Sequence, residues 1–434
     1  MICPSLSAAV LSLSPGWGLG DLYPVGLLAF GVLILLGVLA ISHQGERAFS
    51  ASIVYVGAGA LAAAGLSLLG VAPLDPEGDH VLLERLAELA LVVAVFSAGL
   101  TIERTVERRS WISIATLLVV VMPLTIAAIA AFGMGAMGLS FGAALLLGAI
   151  LAPTDPVLAG DVGLSHVGGE IYGEPRLTLH TEAGFNDGLA SPFVVLGLYA
   201  AGRGGTGWLG EWALADLLYA AGGALAFGAA AGVGAAWVIT RGRSRGLLAP
   251  RLDGFAAIGL VLAIYGITEA LGAYGLLAVF AAGFTFRRYE FDHEVHVGLH
   301  HGAETAGTVF ELLVLALLGS MLTLSGIGDP GLAGWLLAPL LIIVIRPALV
   351  LATSGTRLMD LRARLFLGFF GVRGVAALFY AAVVVESHVL RPAEQHIVVW
   401  TTIVVVIVSI VTHGVSATPL TRKLLAGQDD RLAA

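Results

Sequence analysis

Apolar runs long enough to cross a lipid bilayer recur along almost the whole chain. A spanning helix needs about 20 apolar residues, and the sequence predicts about thirteen of them. Because lipid offers no partners to backbone N–H and C=O groups, such a chain is expected to be all-α. The predicted spans are about 22–41, 49–72, 82–101, 111–132, 139–160, 174–200, 211–240, 250–271, 273–288, 303–325, 330–354, 363–386 and 395–421.

Composition excludes most other classes of protein. Of the 434 residues, 58% are hydrophobic and 12% are charged, whereas soluble domains carry about 25% charged residues. The chain is therefore expected to be a polytopic membrane protein with no room for a soluble domain. Its single cysteine, Cys3, excludes an internal disulfide and a cysteine-rich metal site. No cofactor and no nucleic-acid partner is expected, and the first 20 residues lack the basic region of a cleaved signal peptide.

The basic residues follow the alternation of the predicted loops. When these loops are assigned alternately to two sides, nearly all Lys and Arg fall on one side, which the positive-inside rule makes cytoplasmic. This places the N-terminus outside and the C-terminus in the cytoplasm of a protein of the cell membrane. Arg346 and Arg373 remain within spans. The cytoplasmic set is Arg47, Arg104, Arg108, Arg109, Arg176, Arg241, Arg243, Arg245, Arg251, Arg287, Arg288, Arg357, Arg362, Arg364, Arg422, Lys423 and Arg431.

Two of the apolar runs carry acidic residues at membrane depth. The fifth contains Asp155, followed by Pro156, and the sixth contains Glu182, Asn186 and Asp187. A charge in the bilayer core is costly, so such residues are functional candidates by default. Proline removes a backbone donor and clashes with the preceding turn, so the fifth helix is expected to break near Asp155. A broken helix with a carboxylate is typical of an ion site in a secondary transporter.

The second half of the chain repeats this construction. In the twelfth span, Gly371 and Gly374 flank the buried Arg373. Paired interruptions in corresponding helices of two halves indicate a transporter site. If spans one to six and eight to thirteen are repeats, the seventh connects them, and corresponding helices run in opposite directions. The predicted fold is thus two inverted six-helix repeats whose broken fifth and twelfth helices cross at the ion site.

Helical spacing assigns these polar residues to faces. Residues four apart share a face, so Glu182 and Asn186 point one way, and Ala183 and Asp187 point another. Arg373 is the predicted partner of Glu182, because a guanidinium binds a carboxylate through a bidentate fork.

The Asp187 face is expected to hold a small hard cation. Asp187 and Asp155 supply carboxylate oxygens, and the carbonyl of Thr154, next to Pro156, is freed where the helix unwinds. A cation and a proton would compete for these carboxylates, and that competition is itself exchange. Glu269 and Glu311, in or near other spans, are interpreted as structural hydrogen-bonding groups or interfacial residues rather than site ligands.

Three motifs of the sequence resemble those of the NhaP/NHE-type monovalent cation/proton antiporters. They are residues 154–156, Glu182 with Asn186-Asp187, and residues 371–374. Supporting matches are residues 280–283 and 412–414. Together the motifs occur in the family's order, and the likeness extends over about residues 22–425.

The resemblance implies a homodimer that works by an elevator-like movement. It implies a core bundle of about 111–200 and 330–421, dimerisation or scaffold helices of about 22–101 and 250–325, and a linker helix of about 211–240. Residues 22–425 would form this single domain, with an extension at 1–21 and a short tail at 426–434. The resemblance assigns Asp187, Asp155 and the Thr154 carbonyl to the ion, and Glu182 and Asn186 to Arg373. Asn before Asp187 goes with electroneutral exchange.

One departure from the family concerns Ala183, where relatives often have a hydroxyl residue. The missing oxygen leaves open whether the chain prefers Na⁺, the expected substrate, or K⁺. A cation channel is the alternative from another class, and it would need a continuous lined pore. An enzyme is not expected: an intramembrane metalloprotease needs H-E-x-x-H within a span, and residues 293–296, HEVH, have the wrong spacing.

A histidine cluster follows the ninth span on the predicted cytoplasmic side. Histidine titrates near pH 6.5, so a role in sensing cytoplasmic pH is one hypothesis for this loop. The alternative is a solvated interfacial segment without such a role. The cluster consists of His293, His296, His300 and His301.

Overall fold

The computed structural model describes residues 31, 32 and 35, and residues 50–425 apart from 69, 71, 103–107, 156–173, 250–251, 291–294 and 354. Within these residues the regular structure is helical, and no strand occurs among them. Most of the first predicted span, the extension 1–21 and the tail 426–434 lie outside the described residues, so those predictions stay untested.

The described helices follow the predicted spans in order along the chain. They are α1 Ala51–Leu68, α2 His80–Leu100, α3 Arg108–Ala136, α4 Phe141–Leu151, α5 Glu174–Gly202, α6 Leu209–Ser244, α7 Asp253–Ala270, α8 Gly275–Tyr289, α9 Val295–Ser320, α10 Leu324–Gly328, α11 Gly331–Ala352, α12 Leu361–Phe369, α13 Val375–Glu386 and α14 Pro392–Leu425.

Length and composition make seven of the described helices candidates for membrane spans on their own. The prediction of an all-α, multi-pass membrane protein is confirmed, while the count of thirteen spans and the two repeats stay predictions. The apolar α4 and α13 are shorter, because each ends or begins at an interruption. The seven candidates lie in α1, α3, α6, α7, α9, α11 and α14.

Two long helices widen into a π-helical segment just before a proline. In α3 the segment is Leu117–Val121, followed by Met122 and Pro123; in α11 it is Leu340–Ile345, followed by Arg346 and Pro347. Proline has no N–H for the carbonyl one turn earlier, so the helix adjusts its hydrogen-bond register there. In α11 this places Arg346 at the end of the adjustment, where its side chain reaches the bundle interior.

Small residues let helices approach closely in the bundle. α1 packs against α9, and a Cβ atom at Gly59 of α1 would clash with the carbonyl of Ala316 in α9. Close backbone contact of this kind stabilises helix pairs in lipid, where no hydrophobic force favours association. Gly59, in the glycine-rich run at residues 56–60, therefore acts in helix packing. α2 lies centrally, against α8, α9 and α13.

The two predicted helix interruptions meet in space. α4 ends at Leu151 and residues 153–155 have no regular secondary structure, while α12 ends at Phe369 and α13 begins at Val375. The N–H of Asp155 donates to the carbonyl of Val372 at 2.8 Å. The end of α4 therefore lies beside the interruption between α12 and α13. Pro156 lies outside the described residues, so a broken fifth helix that crosses the twelfth stays a prediction.

Candidate cation site

Asp155 joins the two interruptions through its side chain as well as its backbone. Its Oδ2 atom accepts a hydrogen bond of 2.9 Å from the N–H of Val375, the first residue of α13. A carboxylate at a helix N-terminus satisfies a free donor and interacts favourably with the helix dipole. The side chain is buried. Asp155 therefore holds the start of α13 beside the end of α4 while it brings a negative charge to the crossing.

Glu182 is paired with Arg346, which corrects the prediction that Arg373 is its partner. Arg346 Nη2 lies 2.7 Å from Glu182 Oε2, and Nη1 lies 3.2 Å from Oε1, so the pair is bidentate. Both side chains are almost fully buried. Gly371 leaves the room for this arrangement, because a Cβ atom there would clash with the Arg346 guanidinium group. The interior cation of α11, rather than that of the α12–α13 interruption, neutralises Glu182.

Asn186 and Thr154 complete the polar network on the Glu182 face. Asn186 Nδ2 donates to Glu182 Oε1 at 3.0 Å and to Thr154 Oγ1 at 2.8 Å. The backbone N–H of Thr154 in turn donates to Asn186 Oδ1 at 3.2 Å. The predicted shared face of Glu182 and Asn186 is confirmed by the direct hydrogen bond. Through this network α5 is fixed to the irregular segment that follows α4.

The Arg373 side chain donates to backbone carbonyls instead of pairing with an acidic side chain, and one of these carbonyls ends α4. Its Nε atom donates to the carbonyl of Leu151, the last residue of α4, at 3.1 Å, and Nη1 donates to the carbonyl of Gly371. Its backbone N–H donates to Ser409 Oγ in α14 at 2.8 Å. Helix C-termini carry partial negative charge, which a cation stabilises. Gly374 precedes α13 directly, with φ −150° and ψ −131°.

Asp187 differs from Asp155 and Glu182, the other two acids of the site, because its carboxylate oxygens accept no hydrogen bond. It is fully buried, and neither Oδ1 nor Oδ2 has a hydrogen-bond partner. A bare buried carboxylate is very unfavourable, so it must carry a proton or a cation. The backbone carbonyl of Asp187 accepts a hydrogen bond from the hydroxyl of Tyr380 in α13. Ala183, four residues earlier, is buried and contributes no oxygen.

The structure thus brings together nearly all of the predicted site residues. Thr154 and Asp155 follow α4, Glu182 to Asp187 lie in α5, and Gly371 to Gly374 precede α13. Arg346, Tyr380 and Ser191 are additional residues that the sequence did not single out. Of the histidine cluster, His293 lies outside the described residues and the side chain of His296 is not described. His300 bonds Ser97 at 2.9 Å.

Comparison with known proteins agrees with these features. The family model of the transmembrane sodium/hydrogen exchanger matches residues 10–423. The Na(+)/H(+) antiporter 2 of Zygosaccharomyces rouxii is 31% identical over 320 residues, which are 70% of this chain and 38% of that protein. The K(+)/H(+) antiporter NhaP of Alkalimonas amylolytica is 25% identical over 413 residues, 92% of this chain and 66% of that protein. The chain therefore spans about two fifths of the length of the yeast relative.

Solved structures show the same fold. The sodium proton antiporter MjNhaP1 from Methanocaldococcus jannaschii superimposes with a TM-score of 0.77 at 18% sequence identity, over 93% of this chain and 99% of that one. Its structure at pH 8 gives a TM-score of 0.67. With the family model matching almost the entire length, the resemblance seen in the sequence motifs is confirmed. The chain belongs to the transmembrane sodium/hydrogen exchanger family, a family of transporters and not of enzymes.

Proposed function

We propose that the chain is a secondary transporter that exchanges Na⁺ for H⁺ at Asp187 and Asp155. The observation that carries this proposal is the fully buried Asp187, whose two carboxylate oxygens have no hydrogen-bond partner. Such a group takes up a proton or a cation, and one excludes the other. If only the occupied site crosses the membrane, the competition couples the two fluxes. Asp155 and the Thr154 carbonyl are the further proposed ligands of the cation.

Charge bookkeeping supports an electroneutral exchange. Glu182 is compensated by Arg346, and Asn186 beside Asp187 is neutral. Asp187 is therefore the acid at which one proton replaces one monovalent cation. A second carboxylate in place of Asn186, directly before Asp187, would favour a different stoichiometry.

An elevator-like movement in a homodimer is the proposed route of alternating access. The proposed core, about 111–200 and 330–421, contains both interruptions and all the site residues. The proposed scaffold, about 22–101 and 250–325, includes the closely packed α1 and α9. The proposed linker helix is about 211–240. We further propose that the N-terminus of the chain lies outside the cell and that its C-terminus lies in the cytoplasm. The close network at the crossing favours movement of the core as one unit.

K⁺ is the alternative cation. Similarity to a K(+)/H(+) antiporter as well as to a Na(+)/H(+) antiporter favours testing both ions. Ala183 also lacks a side-chain oxygen that could affect the preference between Na⁺ and K⁺.

A cation channel is disfavoured because Asp187 is fully buried. Exchange in proteoliposomes, driven by Na⁺, K⁺ or Li⁺ gradients, tests the proposal. An exchanger moves protons obligatorily, whereas a channel carries cation current without them.

A further inference from the structure

Ser191 lies one helical turn beyond Asp187 on the same face of α5. Ala183, Asp187 and Ser191 are spaced by four residues, and residues at that spacing are neighbours on a helix surface. Helical side chains lean toward the N-terminus, so the Ser191 hydroxyl covers the turn that carries Asp187. The same lean directs the side chain of residue 183 away from Ser191. We call the Ser191 side of Asp187 its outer side and the Ala183 side its inner side. On this face, the unsatisfied carboxylate of Asp187 is followed one turn later by the hydroxyl of Ser191. One turn earlier, Ala183 has no side-chain oxygen.

We propose that Ser191 supplies a hydroxyl ligand to the transported cation, in place of the oxygen that Ala183 lacks, and that Tyr380 positions it. This inference rests on the proposed function and names a ligand of the same site. Small hard cations bind several oxygen ligands, neutral as well as charged. A carboxylate flanked by a correctly turned hydroxyl is such a set.

Counting hydrogens shows how Tyr380 turns the serine. A hydroxyl has one hydrogen and two acceptor lone pairs. Tyr380 gives its hydrogen to the carbonyl of Asp187, and its oxygen lies 2.9 Å from Ser191 Oγ. The hydrogen between the two hydroxyls must therefore come from Ser191. Both lone pairs of Ser191 Oγ are then left to accept a cation.

Without Tyr380 the serine would adopt a different orientation. A serine inside a helix commonly donates to the carbonyl four residues earlier, which for Ser191 is that of Asp187. The tyrosine hydroxyl occupies this carbonyl, so the serine hydrogen points at Tyr380 instead. Tyr380 is almost fully buried in α13 and therefore rigidly placed. Its role is that of a positioning residue, and it acts through Ser191.

Pro192 leaves a further neutral oxygen without its usual helical donor at the same turn. Proline has no N–H, so Pro192, which lies inside α5, cannot donate to the carbonyl of Gly188. That carbonyl points along the helix axis toward Pro192. The turn of α5 that follows Asp187 therefore carries a hydroxyl and a carbonyl lacking its usual intrahelical donor. Both have the chemistry of cation ligands.

The test measures cation affinity separately from turnover. In proteoliposomes, Ser191→Ala is expected to raise the apparent KM for Na⁺ about 3- to 10-fold, the effect of losing one neutral polar partner. The maximal rate should stay within about twofold of the wild type, since the carboxylates remain. Tyr380→Phe should raise KM less than Ser191→Ala does. In that variant the Ser191 hydroxyl is still present, but it donates to the backbone carbonyl of Asp187. The double variant should be no worse than Ser191→Ala alone, because the tyrosine acts through the serine.

Rescue by a hydroxyl on the inner side separates a ligand from a packing residue. Adding Ala183→Ser to Ser191→Ala should bring KM back toward the wild-type value. Ser320→Ala, whose hydroxyl bonds the carbonyl of Leu317, is the matched control and should leave KM unchanged. A second readout, which needs no transport, is the Na⁺ concentration that gives half of the maximal increase in unfolding temperature of the purified protein. In Ser191→Ala this concentration should rise in parallel with KM.

The results that overturn the inference are distinct from failure of the proposed function. A wild-type KM in Ser191→Ala rejects Ser191 as a ligand. A fall in maximal rate and in thermal stability at unchanged KM, not rescued by Ala183→Ser, assigns Ser191 to helix packing and also rejects the inference. If the wild-type protein itself shows no cation-dependent proton movement and no cation-dependent stabilisation, the proposed function fails first.

Discussion

Arg346 and Glu182, 164 positions apart in the chain, form a bidentate ion pair in which Nη2 and Oε2 are separated by 2.7 Å. The pair joins α11 to α5 within the bundle and stands directly beside Asn186 and Thr154. Because Glu182 is neutralised in this way, its charge is not available to the transported ion. Asp187, on the neighbouring face, is left as the acid that must find its own partner.

Breaking this pair from one side should destabilise the protein strongly. Arg346→Met leaves a buried carboxylate uncompensated, at a cost of about 3–5 kcal/mol. Replacing both partners, as in Glu182→Gln with Arg346→Met, should recover much of that loss. Thermal unfolding of the purified variants measures both effects. Equal stability of Arg346→Met and the wild type would show that another cation neutralises Glu182.

Asp155 should have two separable roles. Asp155→Asn keeps an oxygen that can accept from the N–H of Val375 but removes the charge, so cation affinity should fall at nearly wild-type stability. Asp155→Ala loses the cap as well, which costs about a further 1 kcal/mol. Unfolding temperature and apparent KM for Na⁺, measured on the same preparations, separate the two. If both variants lose stability equally, the capping bond is unimportant.

His80, at the start of α2 and outside the predicted span 82–101, should make stability depend on pH. Burial lowers the pKa of His80, but its hydrogen bonds to the Glu386 carboxylate and the Glu77 carbonyl outweigh this and raise it above the ordinary 6.5. Because the pKa of His80 is higher in the folded than in the unfolded state, its protonation stabilises the folded protein. This stabilisation is fully present below pH 6.5, and it is lost as the pH rises through the folded-state pKa.

The comparison of wild type with His80→Gln tests this sign. The difference in unfolding temperature should be largest near pH 5.5 and should narrow by pH 8.5. His301→Gln, at a side chain that is 58% exposed, serves as the control and should show little difference at either pH. A difference for His80→Gln that grows with pH would contradict the assignment.

The sequence predicted the site's α5 face correctly because helical spacing is local. Glu182 and Asn186 are four residues apart, and their side chains are hydrogen-bonded. That α4 ends shortly before Asp155 was predictable for the same reason, since a helix end depends on the neighbouring sequence.

The partner of Glu182 could not be read from local spacing. Which way Arg346 and Arg373 point depends on how distant helices rotate against α5, and no local pattern fixes that rotation. Arg346 did carry a signal, because an arginine within an apolar span is costly and should have a partner. Ser191 and Tyr380 carried none, because uncharged polar residues are tolerated in spans.

Asp187→Asn tests the central claim, that one buried carboxylate is shared in turn by the cation and the proton. A neutral amide cannot exchange a proton in the working pH range and attracts a cation far more weakly, yet it is easier to bury than a charge. The variant should insert and remain folded. In proteoliposomes with an imposed Na⁺ gradient, the wild type should move protons, with an apparent KM for Na⁺ that rises as pH falls. The purified Asp187→Asn variant should move none, and exchange at the wild-type rate by that variant would contradict the account.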